Sequence, residues 1–269
     1  MTAPPLTWLY VPADRPDRVE KAIASRAHAV IVDLEDGVAP AAKAAARAGL
    51  SGLLAEPRDK PVYVRVNAGV AEDLEAAAGL ALAGILIPKV ARPEDVPASP
   101  LAVHCLIESA AGLEAAYEIA RTPGVAGISL GEADLRSETG ALEAGLDWAR
   151  GRIVNAAVAA GLPRPPQSVY PHVRDQDGLA RSCARGRELG HLGRSAIHPD
   201  QLPVIEAAYL PTDDEVERAR ETLARIDAGG PGTLRGGEFV DPAMLGAARQ
   251  TVALAESYGT ATHQTRGEQ

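Results

Sequence analysis

The feature that most limits how this chain can fold is a repeated alternation between short, β-branched apolar runs and Ala-rich stretches of helical period. Eight runs qualify as strands: Leu6–Val11, Ala29–Leu34, Val62–Val66, Gly84–Pro88, Leu101–Ile107, Val125–Leu130, Gln167–Tyr170 and Arg194–Ile197. Between them Asp17–Ser25, Ala39–Ala55, Ala71–Ala83, Ala110–Arg121, Gly145–Ala160 and Asp175–Leu189 read as helices. Continuous apolar runs suit strands covered on both faces, and parallel neighbours need crossovers of that kind. The expected fold class is α/β, a (β/α)8 TIM barrel with a C-terminal helical appendage. A doubly wound open sheet is the alternative, weakened because no Gly-rich phosphate loop follows the first strand.

Beyond the eighth run, Thr212–Ile226 reads as a helix with Thr212 as N-cap and Glu215 three residues on, the pattern of a capping box. The Gly-rich stretch Ala228–Glu238 is expected as a flexible loop, and Pro242 to Tyr258 as a further helix. The domain reading is residues 1–210 as barrel, 211–258 as appendage and 259–269 as a flexible tail.

Composition narrows the partner. With 269 residues and 46% hydrophobic ones the chain can bury a large core, built from Ala, Val, Leu and Ile because aromatics are only 3%. A net charge of −9 argues against a nucleic-acid or anionic-membrane partner, since both need clustered Lys and Arg. Cys105 and Cys183 form neither a disulfide framework nor a zinc motif, which suits a reducing compartment. The segment Met1 to Pro5 lacks a signal-peptide pattern and no run approaches a membrane span, so a cytoplasmic location is expected.

The chemistry collects at the strand ends: Asp14 and Arg15, Glu35 and Asp36, Arg65 and Asn67, Lys89, Glu108, Asp134 and His198. In a barrel these ends share one rim, where barrel enzymes carry their sites. Glu108 directly ends an apolar run, with small residues after it, and Asp134 follows the next run closely. Two carboxylates on neighbouring strand ends, with no His or Cys nearby, form an oxygen-donor site that suits Mg²⁺ completed by substrate and water. Arg65 sits in the run Val62–Val66 and needs an anionic partner, either Glu35 or a substrate carboxylate. Ion pairing is preferred to a Schiff base for Lys89, and a structural role to a catalytic one for His198. No Gly-x-Ser-x-Gly elbow appears.

Seven motifs spell a known pattern in order. Leu9-Tyr10-Val11-Pro12-Ala13-Asp14-Arg15-Pro16, Val32-Asp33-Leu34-Glu35-Asp36-Gly37-Val38, Val64-Arg65-Val66-Asn67, Ile85-Leu86-Ile87-Pro88-Lys89, Leu106-Ile107-Glu108-Ser109, Gly131-Glu132-Ala133-Asp134-Leu135 and Ala196-Ile197-His198-Pro199-Asp200-Gln201 closely resemble the citrate lyase β-subunit-like family of the HpcH/HpaI aldolase superfamily. Phe239-Val240-Asp241-Pro242 followed by Ala247-Ala248-Arg249 is similar to the C-terminal motif of its malyl-CoA and citramalyl-CoA lyases.

The resemblance implies a Mg²⁺-dependent carbon–carbon lyase that cleaves a 3-hydroxyacyl-CoA thioester into an acyl-CoA and a 2-oxo acid, or runs the reverse. It implies Glu108 and Asp134 as metal ligands and Arg65 beside the developing charge. The backbone of Gly131, Glu132, Ala133 and Asp134 would receive the substrate carboxylate, while Glu35 and Asp36 would orient metal-bound water and Arg65. Asp241 would be an acid or base reaching a neighbouring subunit's site, in a homo-oligomer that is a trimer or a multiple of it. Arg15, with Arg18 and Lys43, is a candidate phosphate contact for the coenzyme A thioester, although helix-surface solubility explains these side chains nearly as well. Against the family's common Gly-Ala-Glu-Asp, Gly131-Glu132-Ala133-Asp134 moves one carboxylate by one place, and an Asp common near Gln167 is missing. The rival readings are a thioesterase on the same scaffold, a citrate lyase β subunit, and a non-catalytic binding subunit.

Overall fold

The computed structural model describes residues 4–260. The chain divides into two units, Pro5–Ile205 and a C-terminal one that begins at Glu206. The larger unit is a seven-stranded, all-parallel sheet. Its strands are β1 (Thr7–Pro12), β2 (Ala29–Asp33), β3 (Val62–Arg65), β4 (Gly84–Ile87), β5 (Val103–Ile107), β6 (Val125–Leu130) and β7 (Arg194–Ala196), in the order β6-β5-β4-β3-β2-β1-β7. Every residue of β2 and β4 is buried, as continuous apolar runs require.

The crossovers are α1 (Pro16–Ala24), α2 (Lys43–Leu54), α3 (Ala71–Ala78), α4 (Ala110–Glu114), α5 (Ala116–Ala120), α6 (Glu132–Thr139), α7 (Asp147–Ala159) and α8 (Gln176–Glu188). In α2 the buried residues Ala46, Leu50 and Leu54 recur every four positions, the stripe that makes a helix lie on a sheet. The expected single helix over Ala110–Arg121 is two short ones, broken at Ala115. Helix α6 was not foreseen: it is polar, and only Leu135 is buried, so no apolar stripe announces it.

The run Gln167–Tyr170 is not a strand. Gln167 makes a single parallel bridge to Arg194, its amide donating to Gly193 O at 2.9 Å and its carbonyl accepting from Ser195 N at 3.0 Å. Pro165, Pro166 and Pro171 flank the run, and proline brings no N–H to a ladder. Side chains take over instead: Ser168 Oγ donates to Leu130 O and accepts from Glu132 N at 3.3 Å. The buried Arg194 guanidinium donates to Ser168 O at 2.9 Å and to Gln167 Oε1 at 3.2 Å. The fold is therefore α/β with a curled parallel sheet, one stave short of a fully hydrogen-bonded eight-stranded ladder.

Helix α9 (Leu202–Tyr209), also unforeseen, crosses the unit boundary. The C-terminal unit contains α10 (Asp213–Gly229), β8 (Gly232–Thr233), β9 (Phe239–Val240) and α11 (Leu245–Tyr258). The capping box forms: Thr212 Oγ1 accepts from Glu215 N at 3.2 Å, and Glu215 Oε2 accepts from Thr212 N at 2.8 Å. The stretch expected as a loop over Ala228–Glu238 instead continues α10 to Gly229 and then enters an antiparallel hairpin, Gly232 opposite Val240. The tail expected over 259–269 lies outside the described residues from position 261 onward. Both cysteines are free and buried. No helix among the described residues is long and apolar enough to cross a membrane.

Candidate functional site

The C-terminal ends of the strands open into a cavity of about 1020 Å³ lined by Asp36, Arg65, Glu108 and Gly131 to Asp134, among others. Tyr10 and Leu106 line it from an apolar core cluster that also contains Trp8, Ala29, Ile31 and Leu86, with Tyr63 packed on it. Polar groups occupy the next level up, where the strands end.

Arg65 is held by the sheet's own register, since it lies opposite Asp33 in the β2–β3 ladder. Its Nε and Nη2 donate to the two Asp33 oxygens at 2.7 Å each, a bidentate fork. Asp33, itself buried, also accepts from Glu35 N at 2.9 Å and Gly37 N at 2.8 Å. Arg65 Nη1 lies 2.8 Å from Glu35 Oε2, yet that buried oxygen has no hydrogen bond of good angle. The other Glu35 oxygen accepts from Lys89 Nζ at 2.6 Å. Of the two partners left open for Arg65, Glu35 is thus beside it, but Asp33 holds it more firmly. The alternation that places Glu35 on the inner face places Asp33 there too, two residues earlier, and that signal was available in the sequence.

Lys89 forms the ion pair expected of it, with Glu35 as the partner, and the hydrogen bond it donates to that carboxylate raises its pKa. Its φ of 59° makes it the sole non-glycine residue with positive φ among those described, a conformation that turns its amide onto Glu108 Oε2 at 2.8 Å. Glu108 is buried, and a Cβ at Gly131 would run into its carboxylate, so only glycine lets the two strand ends approach this closely. Burial, with the Glu35 and Asp134 charges nearby, pushes the Glu108 pKa up to about 7.

Asp134 is exposed, in the first turn of α6. Among the four amides assigned to a substrate carboxylate, that of Gly131 donates to Ile107 O at 2.8 Å and that of Glu132 to Ser168 Oγ. Those of Ala133 and Asp134 have no acceptor among the described residues, so the expected cradle narrows to two groups at a helix N-terminus. The Glu132 carboxylate, the shifted one, is taken by Arg150, whose Nε and Nη2 donate to it at 2.8 and 2.6 Å. Arg150 is 3% exposed and also binds Glu143 at 2.7 Å and Asp147 at 3.1 Å. Sequence reasoning missed Arg150, near the start of α7, because its bidentate partner Glu132 lies 18 positions back in the chain.

Arg15 does not line this cavity and pairs with Asp17 at 3.4 Å on the surface. Glu35 does not line it either, and reaches it only through Arg65 and Lys89. In the C-terminal unit the Asp241 side chain caps the turn at Pro242–Met244 by accepting from Ala243 N at 2.9 Å. His198 Nδ1 accepts from Asp200 N at 3.2 Å, an N-cap role.

The donor set fits a hard cation. No group of three or more His, Cys, Asp or Glu forms a closed cage among the described residues. Glu108 instead offers a carboxylate that burial and its neighbours destabilise as an anion, and Glu35 offers a buried oxygen without a hydrogen bond. A divalent cation held by Glu108 would relieve the first, and the second would be free to accept from a neighbouring water.

Against known proteins, the model of the HpcH/HpaI aldolase/citrate lyase family matches residues 6–100 and 97–199. The chain belongs to this family. Within it, a (3S)-malyl-CoA thioesterase of Cereibacter sphaeroides is 36% identical, over 93% of this chain and 94% of its own. An L-malyl-CoA/beta-methylmalyl-CoA lyase of the same species is 32% identical, over 92% of this chain and 93% of its own. The crystal structure of the Mycobacterium tuberculosis protein CitE, in complex with magnesium, acetoacetate and coenzyme A, superimposes with a TM-score of 0.80 at 34% identity, over 94% of this chain and 98% of that one.

Proposed function

We propose that this chain is a Mg²⁺-dependent carbon–carbon lyase that cleaves a 3-hydroxyacyl-CoA thioester, such as a malyl- or citramalyl-CoA, into an acyl-CoA and a 2-oxo acid, or joins the two. The observation that carries it is the placement of Glu108, Asp134 and Arg65 in the lining of one cavity, with Arg65 fixed by Asp33. Glu108 and Asp134 would hold Mg²⁺, and when bound it would supply a Lewis acid for the carboxylate and oxo oxygens of the 2-oxo acid. Relatives with magnesium, oxo-acid and coenzyme A ligands support this choice of partners.

In the cleavage direction the 3-hydroxyl gives up its proton to water, the bond between carbons 2 and 3 breaks with its electron pair passing to carbon 2, and the thioester enolate takes up a proton from Asp241 of a neighbouring copy to leave as acyl-CoA. Arg65 faces the negative charge that passes from alkoxide to enolate. Because two carboxylates already hold it, no side-chain reorganisation is needed at that moment. Glu35 orients Arg65 and Lys89 and accepts from water at the metal, Asp36 lies at the cavity mouth, and the Ala133 and Asp134 amides receive the substrate carboxylate. The curled sheet is read as a (β/α)8 barrel with Gln167–Tyr170 as its irregular eighth stave, within the domain division 1–210 and 211–258. Asp241 is assigned as acid or base for the thioester α-carbon in a neighbouring copy of a homotrimer or a multiple of it, and the location as cytoplasmic.

A thioesterase is the second reading, favoured by the 36% identity to a malyl-CoA thioesterase. Mass spectrometry of products from malyl-, citramalyl- and other 3-hydroxyacyl-CoA thioesters with Mg²⁺ separates the two. A 2-oxo acid with the matching shorter acyl-CoA establishes the lyase. Free CoA with the intact hydroxy acid establishes the thioesterase and overturns the proposal.

A further inference from the structure

One polar pair in the cavity has no part in the chemistry above. Ser129 on β6 lines the cavity one layer beneath Gly131, opposite Leu106 in the β5–β6 register. Two residues along a strand separate it from that rim by roughly 6.6 Å. Its hydroxyl lies 3.2 Å from His104 Nε2. The imidazole is wedged against Gly127, where a Cβ would collide with the ring, and its centroid is 5.6 Å from that of Trp8. Desolvation pushes the His104 pKa down to about 4, so the ring is neutral and either donates to Ser129 or accepts from it.

In both tautomers the Ser129 hydroxyl keeps hydrogen-bonding capacity that no other described residue takes up. Its register partner Leu106 is apolar and belongs to a core cluster on which Tyr10 packs, and both line the cavity with it. An alkyl group pressed against this hydroxyl would leave that capacity unmet, which costs binding. The pair itself offers nothing more to a carboxylate, because the neutral imidazole carries no charge to meet it.

We propose, building on the lyase reading above, that Ser129 braced by His104 is the specificity floor of the cavity, and that it selects a 2-oxo acid bearing a hydroxyl group on the carbon next to the oxo carbon. The matching thioester then carries that hydroxymethyl-type group beyond the bond that is cleaved.

The test compares 3-hydroxypyruvate with 2-oxobutyrate, which differ by a hydroxyl in place of a methyl group. Calorimetric binding of each to the full-length protein with Mg²⁺ needs no turnover. The wild type is expected to bind hydroxypyruvate roughly tenfold more tightly, and Ser129→Ala to bring the ratio to about one. Thermal unfolding of the variant checks that its fold is kept. Equal affinities in the wild type, an unchanged ratio in Ser129→Ala, or no binding of either acid overturns the inference. A kept preference for hydroxypyruvate without carbon–carbon cleavage in the product assay overturns the lyase reading alone.

Discussion

The two corners of the cavity that hold Arg65 and Asp134 are built by different means. The Arg65 corner is made by the sheet: Asp33 and Arg65 are register partners on adjacent strands, and Glu35 follows two residues after Asp33. The Asp134 corner is made by long-range side-chain pins, with Ser168 on the Glu132 amide, Arg150 on the Glu132 carboxylate and Arg194 on the Ser168 carbonyl. The first is rigid because the ladder is. The second is rigid only while every pin is present, and so distant substitutions should loosen it.

The largest effect is expected at the Arg65 corner. Arg65→Lys keeps the charge but loses the fork, and steady-state kinetics should show turnover down by about 10²–10³-fold with Mg²⁺ affinity changed far less. An unchanged rate would reduce Arg65 to a structural partner of Asp33. Next, Arg150→Met strands the Glu132 carboxylate and should cost about 3 kcal/mol in denaturant unfolding, with Mg²⁺ affinity weakened as well. If affinity holds while stability falls, Arg150 supports the helix but not the site.

How much of this was legible in the sequence follows the same division. Seven of the eight strands, the Glu108 and Asp134 placements and the capping box at Thr212 follow from local pattern and resemblance. The seventh expected strand fails because the prolines around Gln167–Tyr170 remove the donors a ladder needs, and Val169 and Tyr170, both strand-favouring residues, hide that. Arg150 and Arg194 are invisible for a related reason. Each takes the partner that ties it to the site from distant chain, Arg150 from Glu132 18 positions back and Arg194 from Gln167 27 positions back.

A pH series sharpens the comparison from the metal side. The Glu108 pKa is raised to about 7, so the neutral form is favoured by the fold and the charged form by Mg²⁺. Without metal, ionising Glu108 lowers stability as pH rises from the ordinary carboxylate range through 7. With metal, that loss is recovered. The increase in Tm on adding Mg²⁺ should therefore be larger at pH 8 than at pH 6, and affinity should fall by about tenfold per pH unit well below 7. A flat profile would remove Glu108 from the metal site. The smallest effect is expected for Ser168→Ala, which drops one pin of the Asp134 corner: Mg²⁺ affinity down by about tenfold with Arg65-dependent turnover at saturating metal little changed.

The central claim is that the two corners act on one substrate through one metal ion, and calorimetry tests it most directly. Mg²⁺ is titrated into the wild type, Glu108→Gln and Asp134→Asn, with and without pyruvate. The account predicts one Mg²⁺ per chain in the wild type, pyruvate and Mg²⁺ each tightening the other's binding, and loss of both effects in the two variants. Undiminished Mg²⁺ binding in either variant, or pyruvate binding that ignores Mg²⁺, would contradict it.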